Sequence, residues 1–261
     1  MAVLTLTRDG PIATLTLQRP TVHNAFNPDV IAGITEVCTD LRDDPAVRVL
    51  ILQGEGPSFC AGADLNWMQA SLNYSREENL ADASRLDAMF TALDTLPQAV
   101  VARVHGAALG GGVGLVCCAD YVVAAEEAVF GLTEVRLGLL PAVIARFVTA
   151  KIGFGHARAL FVTGRRIKAA QALAIGLVHE VVPADQLDQA VDRVVRDLLQ
   201  AGPRAIAMSK ALLQVVRTGS LDEVRRLAIE AIASARTGAE GQAGLRAFLN
   251  RQSPPWAPEQ K

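Results

Sequence analysis

Two short stretches hold the residues whose types and spacing could do chemistry. "ALGGGVGLVCCAD" (108–120) sets Gly110, Gly111 and Gly112 in a row where a helix should begin, and "SFCAGADL" (58–65) is a second small-residue turn between a strand-like and a helix-like run. Each glycine weakens a helix, so three together mark a place where backbone must come close to something. A phosphate cradle is the first chemistry to test, because a glycine turn feeding a helix offers free N–H groups and the positive end of a dipole. The details fail: there is no GxxxxGK[ST], and GxGxxG read from Gly110 meets Leu115 where its last glycine should stand. Tight packing of a helix on a sheet also calls for small residues and stays open. With two such turns a further chemistry becomes available, in which two backbone amides point at one oxygen that gains charge in a transition state.

The elements that must position these turns follow from patterning. Residues 3–17 alternate apolar residues with Thr on both sides of Asp9-Gly10, the spacing of a hairpin. Asn27-Pro28 starts a helix with Val30, Ile34, Val37, Cys38 and Leu41 on one face, ending near Asp43-Asp44-Pro45. VRVLILQG (47–54) reads as a strand, a helical stretch from Leu65 breaks near Asn73 and resumes over 75–96, and AVVARV is the next strand. After the triple glycine come an apolar helix and two short strands, DYVVAA and AVFGL. This alternation predicts an α/β fold with a parallel-type sheet, whose ligands gather where strands hand over to loops. Beyond about residue 190 amphipathic helices take over, so a core over 1–190 and a helical segment over 191–261 are expected, with a frayed tail in QSPPWAPEQK.

Composition narrows the function classes. The 261 residues are 51% apolar and 20% charged, which suits a compact fold with a sizeable core. A net charge of −2 carries no polyanion-binding signature, so no nucleic-acid partner is expected. No export signal is read at the N-terminus and no run is long enough for a membrane span, so a soluble, cytoplasmic protein is expected. Cys38, Cys60, Cys117 and Cys118 form no CxxC pair and read as reduced, buried thiols. His23, His105, His156 and His179 lack metal-binding spacing, so no metal is expected.

In order and spacing, RPTVHNAFN (19–27), FCAGADL (59–65), HGAALGGGVGL (105–115) and FGLTEVRLGLLP (130–141) resemble the crotonase (enoyl-CoA hydratase/isomerase) superfamily over nearly the whole chain. The resemblance implies a spiral core of ββα turns, a C-terminal helical segment that covers the active site or joins subunits, and a homotrimer or homohexamer. It implies an acyl-CoA substrate, with CoA as part of the substrate and no separate cofactor. The thioester carbonyl would sit between the amides of Ala61 and Gly111, and Ala63, Asp64, Leu65, Trp67, Gly110, Gly114, Arg136, Pro141 and Ala142 would border the substrate, with Met68 beside Trp67. Arg246 or Arg251 would lie near the CoA phosphates. Of the two glutamates that hydratases of this family use, the second is present as Glu134, and the first is replaced by Gly114. One carboxylate can still move the α-proton.

"TEVRLGLLPAVIARFV" and "FCAGADLNWM" resemble the methylglutaconyl-CoA hydratase subgroup, whose members interconvert 3-methylglutaconyl-CoA and 3-hydroxy-3-methylglutaryl-CoA. That substrate carries a distal carboxylate. The substrate's own carboxylate, or a backbone amide near Ala142, would then place the water, and Arg136 or Arg146 would bind the carboxylate in a bidentate fork. The alternative is an enoyl-CoA isomerase, which needs no water. An RNA-binding or scaffold protein on the same fold is a third reading, opposed by the mild negative charge and by the retained Glu134.

Overall fold

The computed structural model describes residues 2–258. The chain opens as the expected hairpin, β1 (Leu4–Asp9) and β2 (Ile12–Leu17), closed by a two-residue turn in which Gly10 takes φ +52°. Helix α1 (Pro28–Arg42) starts where Asn27 caps it by accepting from the Val30 N–H at 2.9 Å, with Pro28 at its first position. Strand β3 (Val49–Gly54) follows, then helix α2 (Leu65–Ser71), and α3 (Arg76–Asp94) begins in a Ser75–Glu78 capping box.

The remainder winds between two sheets. Strand β4 (Ala99–Val104), short strand β5 (Ala107–Leu109) and helix α4 (Gly111–Cys118) make one turn of the spiral. Strands β6 (Tyr121–Ala125) and β7 (Val129–Gly131) and helix α5 (Ala145–Thr163), kinked at Gly153, make the next. Then come β8 (Arg166–Lys168), α6 (Ala169–Ala174) and β9 (Glu180–Val182). Helices α7 (Leu187–Gln200), α8 (Pro203–Thr218), α9 (Leu221–Thr237) and α10 (Ala239–Leu249) complete the chain.

The larger sheet runs β1-β2-β3-β4-β6-β9, parallel after the first hairpin, and the smaller runs β5-β7-β8. This is the α/β spiral that the motifs imply. Period-two alternation explains how the central strands serve two cores: Leu50, Leu52, Val100 and Ala102 point into the core with α1, α3 and α4. Val49, Ala99 and Val101 point the other way, onto Val191, Val194 and Val195 of α7. Helix α7 therefore covers the sheet itself, while α8–α10 pack mainly on one another.

All four cysteines are buried, and burial pushes the thiols of Cys38, Cys60 and Cys117 up to about 12, so they stay protonated and unreactive at neutral pH. The tail is anchored rather than frayed over its described part: Trp256 Nε1 donates to the Gln200 carbonyl at 3.0 Å and its own carbonyl accepts from Arg48 at 2.6 Å. The last residues of QSPPWAPEQK, 259–261, lie outside the described residues. No helix among the described residues is long and apolar enough to cross a membrane.

Candidate active site

The two small-residue turns lie side by side. Cys60 N–H donates to the Ala107 carbonyl at 3.0 Å, and Leu109 N–H donates to the Cys60 carbonyl at 2.9 Å. They border one cavity of about 400 Å³, together with Phe26, Leu65, Trp67, Met68 and the segment Leu139–Ile144. Its polar features are few, and each has a structural cause.

The glycine run satisfies both packing and access. A Cβ at Gly112 would come 2.2 Å from the Cys60 carbonyl oxygen, and one at Gly111 would come 2.4 Å from the Phe26 ring. Gly110 takes φ +49°, and a Cβ there would stand 3.1 Å from Glu134 Oε1. Its own N–H is taken by the Gly131 carbonyl at 2.8 Å. The next amide, at Gly111, opens α4 and has no acceptor among the described residues.

The amide expected at Ala61 is not free. Ala61 N–H donates to the His23 carbonyl at 2.9 Å, so this residue borders the cavity without offering a donor. The available amide is two residues on, at Ala63, which lines the same cavity and meets no acceptor among the described residues. Ala63 is held on both sides: Phe26 N–H donates to the Gly62 carbonyl at 2.7 Å and Asp64 N–H to the Phe26 carbonyl at 2.8 Å.

Asp64, expected to border the substrate, does not line the cavity; it is buried and holds the turn together. Its carboxylate caps α2 by accepting from the N–H groups of Asn66 and Trp67, and pairs with Arg19 at 2.7 Å. Burial pushes this carboxyl up, but the Arg19 guanidinium and the two amides outweigh it and hold it below the usual range. Arg19 also donates to the Ala25 carbonyl at 2.5 Å, and buried Asn24 donates to the carbonyls of Glu55 and Ser58. Replacing Asp64 with Ala removes a cap and leaves Arg19 unpaired, and is expected to cost about 3 kcal/mol, read by urea unfolding.

Glu134 begins a 3₁₀ turn, Glu134–Leu137, that ends at Gly138 with φ +75°. Three residues per turn put Glu134 and Leu137 on the same side, and both line the cavity. Glu134 Oε2 is buried with no hydrogen-bond partner among the described residues. Burial raises its pKa above the ordinary value, opposed by a hydrogen bond from its own backbone N–H. A carboxylate so placed can exchange protons with a bound molecule, and two free amides nearby can hold an oxyanion.

The same turn geometry moves Arg136 away. It points to Gly164, where its Cγ stands 3.1 Å from the position of a Cβ, and does not line the cavity. Arg146 is engaged with Asp87 at 3.0 Å and lies 4.3 Å over the Phe147 ring. Gly114 is buried inside α4, away from the cavity wall, and a Cβ there would come 2.5 Å from Ile144 Cγ2 and 2.7 Å from Phe90 Cε1. Pro141 and Ala142 line the cavity, but Ala142 N–H donates to the Leu140 carbonyl at 2.8 Å and places no water. The amides without an acceptor on this wall, among the described residues, are those of Leu140, Val143 and Ile144. Arg246 and Arg251 do not border the cavity. Arg166, which the sequence patterns did not single out, does.

A carboxylate and two open amides thus border one cavity of a sheet-and-helix spiral, an arrangement that can hold an oxyanion and move a proton beside it. The model of the enoyl-CoA hydratase/isomerase family matches residues 7–259, and the chain belongs to this family. It is 33% identical to the crotonyl-CoA hydratase of Syntrophomonas wolfei, over 95% of each chain. Among solved structures it is similar to an enoyl-CoA hydratase from Shewanella pealeana, with 38% identity, a TM-score of 0.93 and coverage of 97% and 96% of the two chains. It is also similar to Pseudomonas aeruginosa AtuE, with 37% identity, a TM-score of 0.95 and coverage of 98% and 100%.

Proposed function

We propose that this protein hydrates an enoyl-CoA reversibly, with the thioester oxygen held by the amides of Ala63 and Gly111 and Glu134 as the single acid–base group. The observation that carries the reading is Glu134: a carboxylate with a raised pKa and an unpaired buried oxygen, on the cavity that both free amides border. In the hydration direction Glu134 takes a proton from water as its oxygen bonds to the β-carbon. Electrons of the C=C bond move towards the thioester, whose oxygen gains charge against the two amides. Glu134 then returns a proton to the α-carbon, and water has added across the bond. The amides of Val143 and Ile144, which line the same cavity and have no acceptor among the described residues, are candidates for holding that water.

The substrate proposed is a branched dicarboxylic enoyl-CoA, 3-methylglutaconyl-CoA interconverting with 3-hydroxy-3-methylglutaryl-CoA. The protein is proposed to work as a homotrimer or homohexamer. Exposed Leu213, Val216, Ile229, Ile232, Phe248 and Leu249 on α8–α10 support association.

Double-bond isomerisation is the second reading. It is favoured by one observation: Phe90 and Ile144 fill the space a second carboxylate would need at Gly114. Product analysis of 3-methylglutaconyl-CoA and of a 3-enoyl-CoA separates the two. Hydration adds the mass of water and removes the conjugated absorbance, whereas isomerisation moves the double bond at constant mass. Water addition to the branched diacid is the expected result, and turnover of the 3-enoyl thioester alone would overturn the hydratase reading.

A further inference from the structure

We propose that Arg166 binds a carboxylate at the distal end of the acyl chain and thereby selects dicarboxylic enoyl-CoA substrates. This rests on the acyl-CoA reading above. Arg166 opens β8 and pairs across the small sheet with Gly131, three residues before Glu134. Its Cγ lies 3.1 Å from the position of a Cβ at Gly131, so the absence of a side chain there lets the arginine stem lie close to β7. Ile167, next along β8, is buried and anchors the strand, which fixes the opposite face for Arg166.

Two charged side chains line the cavity among the described residues, Glu134 and Arg166. The guanidinium of Arg166 makes no ion pair within 4.0 Å and no hydrogen bond among the described residues. Its charge is not spent on Glu134 either, since burial raises that carboxyl with no cation offsetting it. Leu137, Leu139, Leu140 and Val143 make most of the neighbouring wall apolar. Arg166 is exposed, so beside a neutral acyl chain its guanidinium stays with solvent, whereas a carboxylate reaching this rim of the cavity would meet five donors in a planar fork. Arg136 and Arg146 are turned away or already paired, and Arg165, next to Arg166 in sequence, does not line the cavity. Lys168, on the same side of β8, does not reach the cavity wall.

The test compares kcat and KM for wild type, Arg166→Gln and Arg166→Lys. The substrates are 3-methylglutaconyl-CoA, its methyl ester at the distal carboxylate, and crotonyl-CoA. Arg166→Gln is expected to lower kcat/KM for the diacid about 10- to 100-fold, chiefly through KM, and to leave the ester unchanged. Arg166→Lys should restore part of the loss, because it returns the charge without the fork. Equal losses on acid and ester would overturn the inference and assign Arg166 to the CoA moiety or to the strand. A wild-type preference for the diacid that survives Arg166→Gln would overturn the inference alone. A wild type that turns over acid and ester equally would remove the dicarboxylic reading and this inference together, leaving hydratase activity in place. No turnover of either ester or acid by a wild type that hydrates crotonyl-CoA would remove the dicarboxylic reading and this inference, and no hydration of any of the three would overturn the hydratase reading too.

Discussion

Replacing Glu134 with Gln is expected to lower kcat about 10²–10⁴-fold while KM changes little, because the amide keeps the shape of the wall and loses the proton exchange. Burial raises the Glu134 carboxyl above its ordinary value, so the acidic limb of the wild-type rate profile should lie above the usual carboxylate range near about 4.3. The same shift makes a statement about stability. A carboxyl raised in the folded state keeps a proton that the unfolded chain has already lost, so stability falls as pH climbs from the ordinary value through the raised one. Glu134→Gln removes that loss, and the variant should melt higher than wild type at neutral pH. An inactive variant that melts lower would instead mean that the carboxylate holds structure.

Restoring the missing glutamate should fail. Gly114→Glu places a side chain where Phe90 and Ile144 already stand, at 2.5–2.7 Å from the first added atom, inside a helix whose neighbours are buried. Overpacking and an unpaired buried charge together should cost on the order of 3–5 kcal/mol. For a chain of this size the melting midpoint should drop by about 6–15 °C, measured by calorimetry. Activity per folded molecule should not rise. A stable and faster Gly114→Glu enzyme would show that the pocket behind Gly114 opens readily, and that the single-carboxylate reading mistakes a lost residue for a built arrangement.

Local chemistry made much of this fold legible. The first hairpin, which turns at Gly10-Pro11 one residue after the Asp9-Gly10 signal begins, the Asn27 cap and the alternation in β3 and β4 each announce themselves through neighbours in sequence. The short strands β5 and β8 do not, because three residues carry too little periodicity and their pairing partners are distant along the chain. The site divides in the same way. The two small-residue turns could be found from types and spacing and Glu134 from the family resemblance, but which amide stays free depends on the His23 carbonyl, which occupies Ala61 and spares Ala63. Arg136 and Arg166 look alike as sequence, and only the three-residue period of the turn after Thr133 sends one away while the sheet register brings the other in. Gly114 likewise reads as a vacancy until α3 and the segment before α5 supply Phe90 and Ile144 to fill it.

The central claim is that Glu134 moves the proton at the α-carbon while two amides hold the enolate oxygen. It is tested most directly by following deuterium from heavy water into the α-position of 3-hydroxy-3-methylglutaryl-CoA formed from 3-methylglutaconyl-CoA, by NMR, with wild type and Glu134→Gln. The account predicts one solvent-derived deuterium per product molecule with wild type, and a rate of incorporation about 10²–10⁴-fold lower with the variant. Incorporation at the wild-type rate by Glu134→Gln would contradict it and move the proton exchange to another group.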